Sequence, residues 1–223
     1  MTRILALAVS VLMAAAPAAM AADGKALVES NKCGSCHQMA GPAVKTIAEV
    51  LKRKAPDLFY AGSKFNKDWL VKYIQSPTTL RPGGVVYLNS LTTEGEADVV
   101  KNPPKCASKL SAGDAAAVAD YLMTLKDASM KVGVFKKMKK VKKARARVVM
   151  MKDEACNACH QFPKKGGGIS CPTFEGIGER LNPDWMYSFI QDPQHWDPKV
   201  WMAKRDFDDA TLQLMVNYLM TAD

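Results

Sequence analysis

Three observations predict an all-α fold built from two similar units. A stretch of the first half recurs in the second without gaps, its apolar residues fall at helical spacing, and no segment sustains the alternating pattern of a strand. With Pro56 set against Pro172, nine of 27 consecutive positions are identical, too ordered for chance. They include Gly62 with Gly178, Asn66 with Asn182, Asp68-Trp69 with Asp184-Trp185, Ile74-Gln75 with Ile190-Gln191 and Pro77 with Pro193. Further on, Tyr121-Leu122-Met123 matches Tyr218-Leu219-Met220.

Taken in chain order, residues 1–21 read as an export signal. Arg3 supplies a basic start, Ile4 to Ala16 is apolar but too short to anchor in a bilayer, and Ala19-Met20-Ala21 offers small residues for cleavage before Ala22. About 200 residues then remain, enough for two small domains, which commonly need a metal, disulfide or cofactor to hold together. Lys plus Arg number 31 against 22 Asp plus Glu. An exported protein is a poor match for nucleic acid, so the excess points to an acidic redox partner or an anionic membrane surface.

Each unit opens on a cysteine motif. Cys33-Gly34-Ser35-Cys36-His37 and Cys156-Asn157-Ala158-Cys159-His160 both read C-x-x-C-H, 123 residues apart. Two thiols on one turn reach the two vinyl groups of one porphyrin, and the following His comes to lie under the iron. A zinc site needs four convergent ligands, and only one other His exists in the chain. The motifs therefore predict two covalently bound haem c groups, held by Cys33, Cys36, Cys156 and Cys159, with His37 and His160 on the irons.

The middle of each unit reads as a helix. Asn66 and Asn182 look like N-caps, Asp68 and Asp184 suit the first turn, and Trp69, Leu70, Tyr73 and Ile74 (or Trp185, Met186, Phe189 and Ile190) form an apolar face. Pro77 and Pro193 close these helices, and a last helix starts near Ser111 and near Asp208. Between the units, residues 136–147 carry eight Lys or Arg in twelve positions. Phe135, Met138, Val141, Ala144 and Val148 lie at roughly helical spacing among them, so a basic amphipathic helix is expected, either a docking patch or a solvated connector.

These features together resemble the class I cytochrome c family in a tandem dihaem form, over both halves but not the signal or the linker. The resemblance rests on the two C-x-x-C-H motifs, the Pro-x-Leu/Phe-x-x-x-Gly stretches at 56–62 and 172–178 and the closing Tyr-Leu-Met segments. It implies first and last helices crossing beside each haem, and a proline carbonyl orienting each His: Pro172 for His160, and Pro56 or the rival Pro42 for His37. It also sets Trp69 and Trp185 against the haems or in the core. The expected organisation is a signal at 1–21, cytochrome c domains at 22–130 and 148–223, and a basic helical linker at 131–147.

The sixth ligands are expected to differ. Met202, in the loop before the last helix, matches the family's distal methionine, with His195 as competitor and Met186, Met215 and Met220 as core. Between Ala40 and Leu122 there is neither Met nor His. Cys106 and Lys105 are the first unit's candidates, beside an open iron or Tyr87. Cys106 also has a competing use, a disulfide with Cys171.

A thiolate lowers a haem potential and a thioether raises it, so two unequal haems would carry single electrons directionally, first to second. The expected function is a periplasmic electron carrier and not an enzyme. A cysteine-ligated first haem also resembles thiosulfate dehydrogenases and related sulfur-oxidising cytochromes. That makes a haem enzyme the alternative, with a haem subunit of a larger oxidoreductase as a third reading.

Overall fold

A computed structural model describes residues 23–80, 89–101 and 105–222; the expected signal, Tyr87 and part of the long loop before Cys106 lie outside them. The described residues run through a similar succession of helices twice, each half adding one of its own, Ile47–Leu51 in the first and Pro193–Trp196 in the second. In the N-terminal half, an opening helix (Gly24–Ser30) precedes a cysteine turn (Cys33–Ser35), a short helix (Ala61–Lys64), a middle helix (Lys67–Gln75) and a closing helix (Ala112–Thr124). In the C-terminal half the counterparts are Lys143–Val148, Cys156–Ala158, Ile177–Arg180, Pro183–Gln191 and Asp209–Leu219. Ser111 and Asp208 cap the closing helices by accepting from Asp114 N and Thr211 N, satisfying N–H groups that have no intrahelical partner.

The shared glycines have a packing reason. A Cβ on Gly62 would sit 2.2 Å from the Met123 carbonyl oxygen, and one on Gly178 would sit 2.7 Å from Met220 Cα. The repeated Gly and the repeated Tyr-Leu-Met are thus two sides of one contact, in which a short helix presses its backbone onto the end of a closing helix. Gly24 does the same for the opening helix: its Cβ would lie 2.0 Å from Ala117 O, so two helices cross at backbone contact. In the second half the fully buried Ala146 stands at the comparable place, one residue further from its cysteine motif. A π-helical turn, Val149–Asp153, with Glu154 N donating to Val149 O, absorbs that extra residue.

Three expectations are corrected. Two small antiparallel hairpins interrupt the helices: Leu91–Glu94 with Ala97–Val100, and Gln161–Phe162 with Gly166–Gly167. Both are too short to show an alternating pattern. Asn66 makes no side-chain cap on its own helix, whereas Asn182 accepts from Asp184 N as expected.

The third correction is the linker, which is helical only over Lys143–Val148. Before that it is an extended strap. Gly133 N and Phe135 N donate to the Asp184 carboxylate, Lys136 N to Gln213 Oε1 and Met138 N to Asn217 Oδ1, all at 2.8 Å. Gln213 and Asn217 return bonds to the Val134 and Lys136 carbonyls. A helix would set lysines three and four apart on one face, where like charges repel. The strap avoids this, and its N–H groups bind amide and carboxylate side chains instead.

The halves meet along a local two-fold. Phe65 pairs antiparallel with Leu181, Asn66 N donates to Arg180 O (3.0 Å) and Asn182 N donates to Lys64 O (2.9 Å). Each partner is the repeat counterpart of the other's neighbour, as in a symmetric dimer contact. The Asn66 amide, unused as a cap, donates across the join to the carbonyls of Gly178, Glu179 and Leu181.

Gly62→Ala is expected to destabilise the holoprotein by about 1–3 kcal/mol, because its Cβ meets backbone that cannot step aside. Gly113→Ala, whose Cβ has nothing nearer than 4.0 Å, is expected to be neutral or stabilising by up to about 1 kcal/mol. Guanidinium unfolding of both variants checks the pair.

Candidate functional site

Each C-x-x-C-H motif is folded into one tight turn. The residue before the first cysteine, Lys32 (φ 53°) or Ala155 (φ 49°), takes the left-handed conformation that ends the preceding helix. His37 N then donates to Cys33 O and His160 N to Cys156 O, both at 3.0 Å, so two sulfurs and an imidazole issue from a single turn.

Both imidazoles are anchored alike. His37 Nδ1 lies 2.7 Å from Pro56 O and His160 Nδ1 lies 2.6 Å from Pro172 O. A carbonyl only accepts, so the proton sits on Nδ1 and the lone pair of Nε2 is left to face a metal. Pro42, the rival for His37, instead accepts from Gln38 Nε2 at 2.6 Å. Burial lowers the His37 pKa, against the Pro56 carbonyl and Asp57, which favour the proton. A neutral imidazole is the form that binds metal. In the second half the ring of Phe174 stacks on His160, 4.4 Å between centroids.

Other groups answer the question of what this site could hold. Trp185 is buried, stacked on Phe189, and its Nε1 has no hydrogen-bond partner among the described residues. Arg180 is also buried; its Nη2 donates to Thr173 O, and burial pulls its pKa down to about 10. No carboxylate among the described residues forms an ion pair with it. A buried indole N–H and a buried guanidinium without an anion suit the carboxylate arms of a haem. Paired thiols, a neutral imidazole and unmatched donors together fit haem c. Trp69, by contrast, is half-buried in a stack between Phe65 and Tyr73.

The remaining sequence candidates fall into distinct positions. Burial, and after it the charge of Cys106, push the Cys33 thiol pKa up; the same two causes raise that of Tyr73. Cys106 is thus within electrostatic reach of the first cysteine motif. It is a free thiol, so the pairing with Cys171 is not made. Lys105 is exposed beside it. The two share a cleft of about 480 Å³ with Gln75, Pro77, Ser108 and Lys109.

Met202 is half-buried against the core, and its carbonyl accepts from Gln194 Nε2 at 2.7 Å. His195 is turned away into a contact with Ser129 Oγ (2.8 Å) and sits edge-on to Trp196. Met186 and Met215 are buried core, and Met220 packs partly buried against it.

Sequence reasoning missed one cluster. Arg53 reaches both Asp57, next to Pro56, and Asp197, in the other half. Arg53 has no identical counterpart in the repeat, so nothing in the sequence singled it out.

Residues 21–126, just under half of the chain, match the family model described as Cytochrome c. Domains of this family carry covalently attached haem c and serve in electron transfer. No curated protein matches the chain. Among the described residues, no helix is long and apolar enough to cross a membrane.

Proposed function

We propose that the chain is an exported electron carrier with two haem c groups, the second held by residues 148–223 as a further cytochrome c domain. The observation that carries this reading is the twofold occurrence of one arrangement: a C-x-x-C-H turn whose histidine Nδ1 is bound to a proline carbonyl. Haem iron, when bound, supplies a one-electron couple between ferric and ferrous states. The protein's own groups do the rest. Cys33 with Cys36, and Cys156 with Cys159, form the thioether links. His37 and His160 present Nε2, and the surrounding core excludes water.

Met202 is assigned to the second iron, because its loop is held against the core while His195 is engaged elsewhere. Cys106 is assigned to the first iron ahead of Lys105, because it lies within electrostatic reach of Cys33 and Tyr73. A thiolate favours the ferric state and a thioether the ferrous, so the two potentials are unequal and the electron runs from the first haem to the second.

Residues 1–21 are read as the signal that directs the chain to the periplasm. The strap and the helix after it present Lys136, Lys137, Lys139, Lys140, Lys142, Lys143, Arg145 and Arg147 to solvent, and of these only Arg145 pairs with an acid among the described residues, Asp153 at 3.7 Å. This face suits an acidic redox protein, with an anionic membrane surface second. A second functional reading is favoured by the cleft at Cys106, where Lys105 and Lys109 flank the thiol: a haem enzyme of the thiosulfate dehydrogenase type.

Pyridine haemochromogen assay is expected to give two haems per chain, falling to one in Cys156→Ser/Cys159→Ser; one haem in the native chain would sink the proposal. Low-temperature electron paramagnetic resonance should show two low-spin signals, of which Cys106→Ala alters one and Met202→Ala the other. Reduction of the purified protein by thiosulfate alone would move the enzyme reading forward. Electron transfer to anionic hexacyanoferrate should slow as ionic strength rises and the screening length drops to about 10 Å at 0.1 M. Lys139→Glu/Lys142→Glu should flatten that dependence, and an unchanged slope would remove the strap from docking.

A further inference from the structure

One guanidinium spans the join between the halves and ties a segment of each. Arg53 Nη1 lies 2.8 Å from Asp197 Oδ2, and Nη2 lies 3.2 Å from Asp57 Oδ2. The three side chains are 13%, 15% and 2% exposed, so water screens them little. Asp57 is the residue after Pro56, whose carbonyl fixes His37 Nδ1. Asp197 starts the turn that leads to Met202: Val200 N donates to Asp197 O at 3.0 Å and Lys199 N to Asp197 Oδ1 at 3.3 Å. Packing reinforces the link, since Tyr60 of the first half meets Trp196 of the second, 5.4 Å between ring centroids.

We propose that Arg53 is a positioning residue that couples the proximal support of the first iron to the distal loop of the second. With one arm the guanidinium holds the segment that orients the His37 imidazole, and with the other it holds the loop that carries the Met202 thioether. The planar fork of arginine serves this purpose because one Nη donates to Asp197 while the other stands in ion-pair range of Asp57; a lysine ammonium is a single point charge on a flexible stem. Removing the cation leaves the buried Asp57 and the half-buried Asp197 without their shared partner, which releases the two segments from each other. The inference rests on the two-haem reading and on Met202 as the second iron's ligand.

The test uses full-length holoprotein and two readouts that a purely structural role would not move. One is displacement of the thioether by added imidazole, followed optically in the ferric protein. The other is the low-spin resonance signal of each haem. Asp197→Asn is expected to tighten imidazole binding at the second haem about tenfold, equivalent to 1.4 kcal/mol of lost ligand-loop stabilisation, and to leave the first haem's signal alone. Asp57→Asn is expected to change only the first signal. Arg53→Gln is expected to change both, and Arg53→Lys, which keeps the buried charge and should accumulate where Arg53→Gln does not, to change both by less.

Arginine variants that affect one haem only, or neither, overturn the proposal. So does a fall in melting temperature with both readouts unchanged. A haemochromogen count of one haem per chain would sink the two-haem reading itself, whereas two haems of which Arg53→Gln shifts only one would sink the coupling alone.

Discussion

Everything in each half is arranged around a hydrogen bond from an imidazole Nδ1 to a proline carbonyl. That bond fixes the tautomer, and the tautomer decides which nitrogen carries the lone pair. Because proline has no N–H and a fixed φ, the carbonyl it offers stands in a rigid stretch of chain. The neighbouring fold keeps that stretch in place: a short helix behind it, a glycine at its end, and a closing helix whose backbone the glycine touches. The chain of constraint runs from a missing Cβ at Gly62 or Gly178, through the short helix, to the geometry of one ring nitrogen.

The interface follows the same economy. Two units derived from one pattern can meet through a symmetric contact, since any surface that suits one copy faces its own counterpart. The pairing of Phe65 with Leu181, and the exchanged bonds of Asn66 and Asn182, have this form. The symmetry is broken elsewhere. Lys64 lies over the Trp185 ring at 4.9 Å, whereas its counterpart Arg180 is buried and bonded within its own half. Arg53, Asp57 and Asp197 form a network with no mirror image.

Much of this was legible in the sequence because the repeat made it so. The cysteine turns, the proline partner of His160, the middle helices and the starts of the closing helices all follow from residues present twice, and the repeat also put Pro56 forward for His37 beside the rival Pro42. Legibility failed where tertiary partners override local preference. Asn66 and Asn182 are identical letters, yet only one caps its helix, because the other has three carbonyls within reach across the join. The strap between the halves has helical spacing but is held extended by Asp184, Gln213 and Asn217, residues far along the chain whose part no local window reveals. The Arg53 cluster unites positions 144 residues apart, and single copies leave no repeat to notice.

The strap also bears on resistance to proteolysis. A run with lysine or arginine at most positions is the bond type that trypsin-like proteases cut, and in a loose linker it would be severed first. Such enzymes take their substrates as extended strands and grip them through backbone N–H and C=O groups. Here the N–H groups of Gly133, Phe135, Lys136 and Met138 are already committed to side chains of the C-terminal half. A protease must first peel the strap away, breaking those bonds together. The charges of Lys136 and Lys137 can therefore face outward while the backbone beside them is held.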